Sequence, residues 1–381
     1  MLYRKFGNTG INISALGFGC MRFPMMESDG KKIVNEELTI PMLRRAVELG
    51  VNYFDTAYNY CEELSQATVG KALKPYRDKV YIATKIPLHL VNEPSDYRNI
   101  LLESLRRLDT EYIDFYHFHG IDKGAFDKWV SRDGMNLIGE AVKAKEDGLI
   151  RHISFSFHSS PEDMQYMIER APELETVLAQ YNIIDRTNES GFAFAKSKGM
   201  GVVAMGPVAG GGLAAPAEKI NELFGRAEAT TYELALRFVV SNPNIDCALS
   251  GMENIDMLEK NVKAIEGIEN GLDENEHAQI SKAVDELAKF SDLYCTGCRY
   301  CMPCAVNIDI PLVFQSYIKH NVYGMTQSGL DTYNWHINDR KWKSPADVCT
   351  QCGACKGKCP QKLDIPVLIK MVSDTFEGLK K

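Results

Sequence analysis

The stretch PSDYRNILLESLRRLDTEYIDFYHFHG, Pro94–Gly120, changes period at its midpoint. Through Asp109 the apolar residues recur every three or four positions, as Tyr97, Leu101, Leu105 and Leu108 do, which is the spacing of one helix face. From Tyr112 to His119 the run is rich in aromatics and broken only by Asp114 and two histidines, as in a strand buried on both sides. One helix followed by one buried strand is therefore the local unit.

Working outward, the same alternation continues in both directions. Strand-like segments lie at Ala15–Cys20, Tyr53–Ala57, Val80–Ile86, Tyr112–His119, His152–Ser156, Val177–Asn182, Val202–Pro207 and Asp246–Ser250. Amphipathic segments such as NEELTIPMLRRAVELG, from Asn35, separate them. Eight strands, each followed by a helix, imply a (β/α)8 barrel. A doubly wound sheet is the alternative, but the regular repeat and the lack of GxGxxG after the first strand favour closure. Ahead of the first strand, GNTGINIS (Gly7–Ser14) sets a Gly/Asn turn between two short extended pieces, a hairpin.

Beyond the last strand the chain changes character. The helical run DENEHAQISKAVDELAKF, Asp273–Phe290, leads into two cysteine-dense motifs, and we divide the chain into a barrel over residues 1–272 and a smaller unit over 273–381. The first motif is CTGCRYCMPC at Cys295–Cys304, and the second is CTQCGACKGKCP at Cys349–Pro360. Together they hold eight of the eleven cysteines. The second has the C-x2-C-x2-C-x3-C-P spacing that wraps three thiolates around one [4Fe–4S] cube and sends the fourth elsewhere. The first is one residue shorter before its last cysteine and has Ala305 where proline is usual.

Both motifs run on into Asp-Ile-Pro, so they are a repeat. The crossed ligation of two-cluster ferredoxins then assigns Cys295, Cys298, Cys301 and Cys359 to one cluster, and Cys349, Cys352, Cys355 and Cys304 to the other. The helix-like intervening segment LVFQSYIKHNVYGM resembles that of alpha-helical ferredoxins. Structural zinc and disulfides are the plainer readings. Triple C-x2-C runs fit a cube better than zinc, and disulfides would need an oxidising compartment.

Composition narrows the setting. Of 381 residues, 45% are hydrophobic and 25% charged, as in a soluble globular protein, and the net charge of −8 argues against nucleic-acid binding. No apolar run approaches a membrane span, and MLYRKFGNTG lacks the apolar core of a signal peptide. The expectation is a cytoplasmic protein with no membrane partner.

Reacting groups in a barrel stand at the C-terminal ends of its strands. Those ends carry Asp55 and Tyr60 in FDTAYNY, Lys85 in ATK and His119 in DFYHFHG. Singly, each has an ordinary explanation, such as a Lys85–Asp55 ion pair at the rim. Together they form a carbonyl-reducing set. Tyr60 would give a proton to the oxygen, Lys85 would lower the phenol pKa, Asp55 would hold Lys85, and His119 would orient the carbonyl. His117 and Tyr58 read as structural neighbours.

On these residues the chain resembles the aldo-keto reductase family. That family has Asp and Tyr five apart after the second strand, Lys ending the third, and His five after the Asp of D-x-Y on the fourth. Asp55/Tyr60, Lys85 and Asp114/His119 match in order, SLRRLDTEYIDFYHFH is also typical, and the resemblance covers about residues 1–290. It points to the bacterial branch with a ferredoxin-type extension.

The resemblance implies NAD(P) bound across the barrel mouth. It places Ser156 and Gln180 at the nicotinamide amide, and Ser250, Gly251 and Asn261 at the phosphates. Phe157 stands where the family has Asn, and Met205 where it has a stacking Tyr. Gly251 and Met257 replace the basic residues that hold a 2′-phosphate. The run Gly210–Gly212 reads as a phosphate-side loop or a plain turn. The implied activity is hydride transfer between NAD(P)H and a small carbonyl or alcohol, with two [4Fe–4S] clusters exchanging electrons with a carrier such as ferredoxin. No flavin motif is visible to couple the two kinds of chemistry. The contrasting reading is a non-catalytic electron-transfer or redox-sensing adaptor with a nucleotide-binding barrel.

Overall fold

The computed structural model describes residues 1–183, 185–208, 231–278, 280–281, 295, 301–322, 324–338, 345–359 and 363–379. The chain divides into two compact units, the first spanning Met1–Gly210 with Tyr232–Asp273 and the second including Glu274–Lys381.

The first unit is a closed barrel of eight parallel strands. A short antiparallel hairpin, β1 (Tyr3–Lys5) and β2 (Asn12–Ser14), precedes it, as GNTGINIS implies. The barrel strands are β3 (Leu16–Gly19), β6 (Tyr53–Asp55), β7 (Tyr81–Ile86), β8 (Ile113–Ile121), β9 (Ile150–Phe157), β10 (Thr176–Gln180), β11 (Gly201–Met205) and β12 (Cys247–Gly251). Sequence order is spatial order around the wall, and β9 and β10 pair in register Leu178↔Ser156. Every expected strand is present. Several end sooner than their apolar runs, because ladder pairing stops where the chain turns into the mouth.

A second hairpin was not foreseen. β4 (Met25–Ser28) pairs antiparallel with β5 (Lys31–Val34) between the first barrel strand and its helix. Asp29 and Gly30 join them with φ of 49° and 73°. Two left-handed central residues twist the turn to match the strands, which is the reason Asp-Gly favours hairpins. The strands are too polar to announce themselves by apolar alternation.

Outer helices follow their caps. The helix α1 (Glu36–Glu48) starts at Asn35, whose side chain accepts from the Leu38 amide, as in NEELTIPMLRRAVELG. α2 (Ser65–Leu73) and α3 (Ser95–Leu108) pack closely, and α3 ends at left-handed Asp109. A Cβ at Gly70 would lie 2.3 Å from the Leu108 carbonyl oxygen, so only glycine permits that approach. The remaining helices of this unit are α4 (Leu137–Glu146), α5 (Pro161–Arg170), α6 (Glu189–Ser197), α7 (Thr231–Ser241) and α8 (Ile255–Ala264).

Phe6, on the turn of the first hairpin, enters the core formed by Tyr53, Phe115, Val203 and Cys247. Its ring meets Phe115 edge-on at 5.2 Å. Burying such a ring is worth about 2–3 kcal/mol, so the hairpin is fastened to the barrel by more than its own ladder.

The second unit is helical. α9 (Ile310–Tyr317), α10 (Thr326–Asn338) and α11 (Ile365–Leu379) surround Phe314, Tyr333, Ile369, Val372 and Phe376. Tyr333 stacks on Phe376 at 4.6 Å. Both Asp-Ile-Pro motifs open helices, and Asp309 accepts from the Leu312 amide at the first. Proline suits that place, since its φ is preset and its missing N–H has no partner there. Of the expected helix Asp273–Phe290, residues 274–278, 280 and 281 are helical, Asp273 precedes the helix, and residues 279 and 282–290 lie outside the described residues. Among the described residues no helix is long and apolar enough to cross a membrane.

Candidate active site

The structure brings Asp55, Tyr60, Lys85 and His119 together at the C-terminal end of the barrel. Asp55 closes β6 and Lys85 comes near the end of β7. Lys85 Nζ pairs with Asp55 Oδ1 and donates to the Thr56 carbonyl at 2.8 Å. The same ammonium lies 4.8 Å from the centre of the Tyr60 ring, and the His119 ring meets Tyr60 edge-on at 6.0 Å.

Two backbone irregularities aim these groups. β8 slips its register against β9 between Phe118 and Ile121, a bulge that includes His119 and Gly120. Gly120 takes a φ of 61° there, and its amide donates to Ser156 Oγ at 2.6 Å. After Tyr60, the consecutive residues Cys61, Glu62 and Glu63 are all left-handed, with φ of 52°, 54° and 65°. Such a run is costly for side-chain-bearing residues and must be held. Arg107 of α3 holds it, donating to Glu63 at 2.8 Å and to the Tyr58 carbonyl at 3.1 Å while stacking over the Tyr58 ring. Neither the left-handed run nor the Arg107 clamp left a trace in residue spacing.

Burial dominates the electrostatics. The Tyr60 phenol is held above its ordinary pKa by desolvation, although the Lys85 charge pulls it down. This corrects the expectation of a net lowering: the lysine acts as anticipated and burial outweighs it. Burial likewise raises the Asp55 carboxyl against the pull of Lys85. His119 is pushed down to about 3, by burial first and then by the Lys85 charge, so it is neutral at physiological pH.

The residues proposed for a nucleotide occupy neighbouring strand ends. Ser156 and Gln180 stand on β9 and β10. The Gln180 amide lies against Gly206, where a Cβ would come within 2.6 Å of it, a cradle that needs glycine. Ser156 Oγ accepts from Gly120, which leaves its hydroxyl hydrogen to donate. Asn261 of α8 donates to Ser250 Oγ at 3.1 Å, so the two join helix to strand, and Gly251 ends β12. The run Gly210–Gly212 lies outside the described residues. A groove of about 790 Å³ is lined by Met21, Phe23, Met25, Met26, Asn59 and Cys61 among others, so the second hairpin forms one of its walls and the chain on either side of Tyr60 another.

In the second unit Cys295, Cys301, Cys304, Cys349, Cys355 and Cys359 all pack on the core built around Phe314 and Ile369. Cys352 is exposed, between left-handed Gln351 and Gly353, and Cys298 lies outside the described residues. The Cys355 thiol is pushed up by burial and further by Cys349, Cys304 and Cys352. The last cysteine of the first motif, like Cys349 and Cys352 of the second, thus lies within electrostatic reach of Cys355.

A parallel barrel with an acid, a lysine, a phenol and an imidazole at its mouth belongs to the (β/α)8 class. The comparisons narrow this. Residues 15–285 match the aldo/keto reductase family, and residues 294–364 match a 4Fe-4S dicluster domain. The chain is 30% identical to L-galactose dehydrogenase of Arabidopsis thaliana over 311 residues, covering 74% of this chain and 94% of that protein. It is 26% identical to probable aldo-keto reductase 1 of Glycine max, over 68% of this chain and 83% of the relative. An aldo-keto reductase of Bacillus halodurans in its holo form superposes with a TM-score of 0.62 at 27% identity, covering 74% of this chain and 96% of that one. The protein belongs to the aldo-keto reductase family. It is an oxidoreductase of that type with a 4Fe-4S dicluster domain.

Proposed function

We propose that the barrel reduces a small aldehyde or ketone, or oxidises the matching alcohol, with Tyr60 as general acid. The observation that carries this reading is the buried Lys85–Asp55 pair set under the Tyr60 ring, with neutral His119 at the ring's edge. Tyr60 stays protonated at neutral pH and has a proton to give. As negative charge develops on the carbonyl oxygen, Lys85 favours its transfer from the phenol, and Asp55 keeps the lysine charged and in place. His119, being neutral, donates one hydrogen bond that orients the carbonyl without competing for its charge.

Ser156 and Gln180 would hold the amide of a nicotinamide nucleotide, and the end of β12 with Ser250 and Gly251 would face its phosphates. When bound, the nicotinamide supplies or accepts the hydride. Asn261 supports Ser250.

The division proposed is a barrel over residues 1–272 and an iron–sulfur unit over 273–381. Cys304, Cys349, Cys352 and Cys355 would hold one cube, and Cys295, Cys298, Cys301 and Cys359 the other. The electrostatic effect of Cys304 on Cys355, shared with Cys349 and Cys352, supports this crossed ligation. When bound, the clusters supply or accept single electrons, for which a ferredoxin-like carrier is the proposed partner, in the cytoplasm.

The test is turnover of a panel of aldehydes and ketones with NADH and NADPH by the anaerobically purified chain, beside Tyr60→Phe. Loss of general acid catalysis costs roughly 10²–10⁴-fold, with nucleotide binding intact. A Tyr60→Phe variant keeping more than about a tenth of the turnover would remove the role assigned to the phenol.

A further inference from the structure

Asp55 has two carboxylate oxygens in a site sealed from water. Oδ1 takes Lys85, and among the described residues Oδ2 has no hydrogen-bond partner. His117 stands beside it. In the barrel wall Lys85 of β7 is in register with His117 of β8, so both side chains meet Asp55. The His117 Nε2 lies 3.7 Å from Asp55 Oδ2, with the imidazole wholly buried and the carboxylate 3% exposed. The Tyr53 hydroxyl is 3.5 Å from the same nitrogen. At 3.7 Å the two atoms face one another across a charge-contact distance, wider than a hydrogen bond.

We infer that His117 is a positioning residue for this reaction, its Nε2–H directed at Asp55 Oδ2 so that the carboxylate stays ionised and turned toward Lys85. The inference rests on the reading of the mouth as a carbonyl-reducing site. A buried ionised oxygen without a donor is costly. The other titratable groups that act with Asp55 are Lys85, already on Oδ1, and Cys20, Tyr53, Tyr60 and Cys247. His117 faces Asp55 through the 3.7 Å contact. Burial and the nearby Lys85 charge keep it neutral, so it carries a single N–H. With that hydrogen on Nε2, a donor meets the carboxylate. With it on Nδ1, the hydrogen can reach the Phe155 backbone and the Tyr53 hydroxyl can donate to Nε2, but the Nε2 lone pair then faces a negative oxygen, which is repulsive. Without His117, Asp55 would take a proton at higher pH and release Lys85 from its ion pair.

The test reads Asp55 directly. The full chain is labelled with carboxyl-¹³C aspartate, and the Asp55 resonance is identified by its loss in Asp55→Asn. His117→Leu should move the Asp55 titration upward by about one pH unit, and the acid limb of kcat/KM with it. His117→Gln, whose amide N–H reaches the place of Nε2, should return both close to wild type. If the leucine variant does not fold, His117→Asn replaces it, since its shorter amide falls short and must give the same upward shift. An unchanged Asp55 titration in the folded leucine or asparagine variant overturns the inference. So does a downward one, which would mean that Asp55 is the donor. The carboxyl titration needs no turnover, so its outcome is separate from the Tyr60→Phe test of the catalytic reading.

Discussion

Lys85 and Asp55 form an ion pair inside the barrel mouth with side chains only 2% and 3% exposed. A pair so placed is weak evidence of net stability but strong evidence of mutual dependence. Both ions lost their water on folding, and each now relies on the other. Lys85→Met should therefore cost about 3–5 kcal/mol of stability as well as turnover. Adding Asp55→Leu to that variant should restore most of the stability and none of the activity, measured by chemical denaturation and by carbonyl reduction side by side. A double variant as unstable as the single one would show that the pair is not what the site depends on.

Arg107 acts on Tyr60 at a distance, by restraining the left-handed run that follows it. Arg107→Ala should lower kcat, by up to about 10²-fold for a misplacement of about 1 Å, while the KM for nucleotide stays near wild type. Steady-state kinetics on one good carbonyl substrate decides it. A matching fall in nucleotide affinity would mean that the clamp serves the whole mouth.

The imidazole of His119 gives a pH dependence of stability with a definite sign. Its pKa in the folded chain is about 3, against about 6.5 unfolded, so folding favours the neutral ring. That contribution is fully present above pH 6.5 and is lost as pH falls from there toward 3. The slope is at most about 1.4 kcal/mol per pH unit, and less for a ring that keeps some water contact. Urea unfolding between pH 7 and 5 should show His119→Asn losing less stability than wild type. Parallel losses would place the acid sensitivity elsewhere, His117 being the first alternative.

Iron should reach about eight per chain after anaerobic purification, two cubes' worth. Cys304→Ser should damage the cluster of Cys349, Cys352 and Cys355 and spare the other. Iron counting with electron paramagnetic resonance of the reduced protein separates the outcomes. Loss of the cluster held by Cys295 and Cys301 instead would reverse the assignment.

Gly251 and Met257 offer no cation to a 2′-phosphate. NADH and NADPH should then bind within about tenfold of one another, a difference below about 1.4 kcal/mol. Calorimetric titration of both nucleotides checks this. A hundredfold preference for NADPH would show that another basic residue holds the phosphate.

The sequence by itself determined the barrel, because buried parallel strands and amphipathic helices carry two periods that hydrophobicity alone displays. It also determined the positions of Asp55, Lys85 and His119, because strand ends place side chains at the mouth, whereas Tyr60, in the loop five residues beyond Asp55, was legible through the family resemblance. The two Asp-Ile-Pro repeats announced the helices that follow them, since a capping aspartate and a proline both act locally.

Only the tertiary structure decided the rest. The sign of the Tyr60 shift depends on how much water the folded mouth excludes, a sum over many residues that no single neighbour encodes. The aim of His119 comes from a bulge that exists only when β8 is paired with β9. In the sequence His117 reads as structural because its meaning lies in register: residues 55, 85 and 117 are far apart along the chain, and three adjacent strands bring them to one carboxylate.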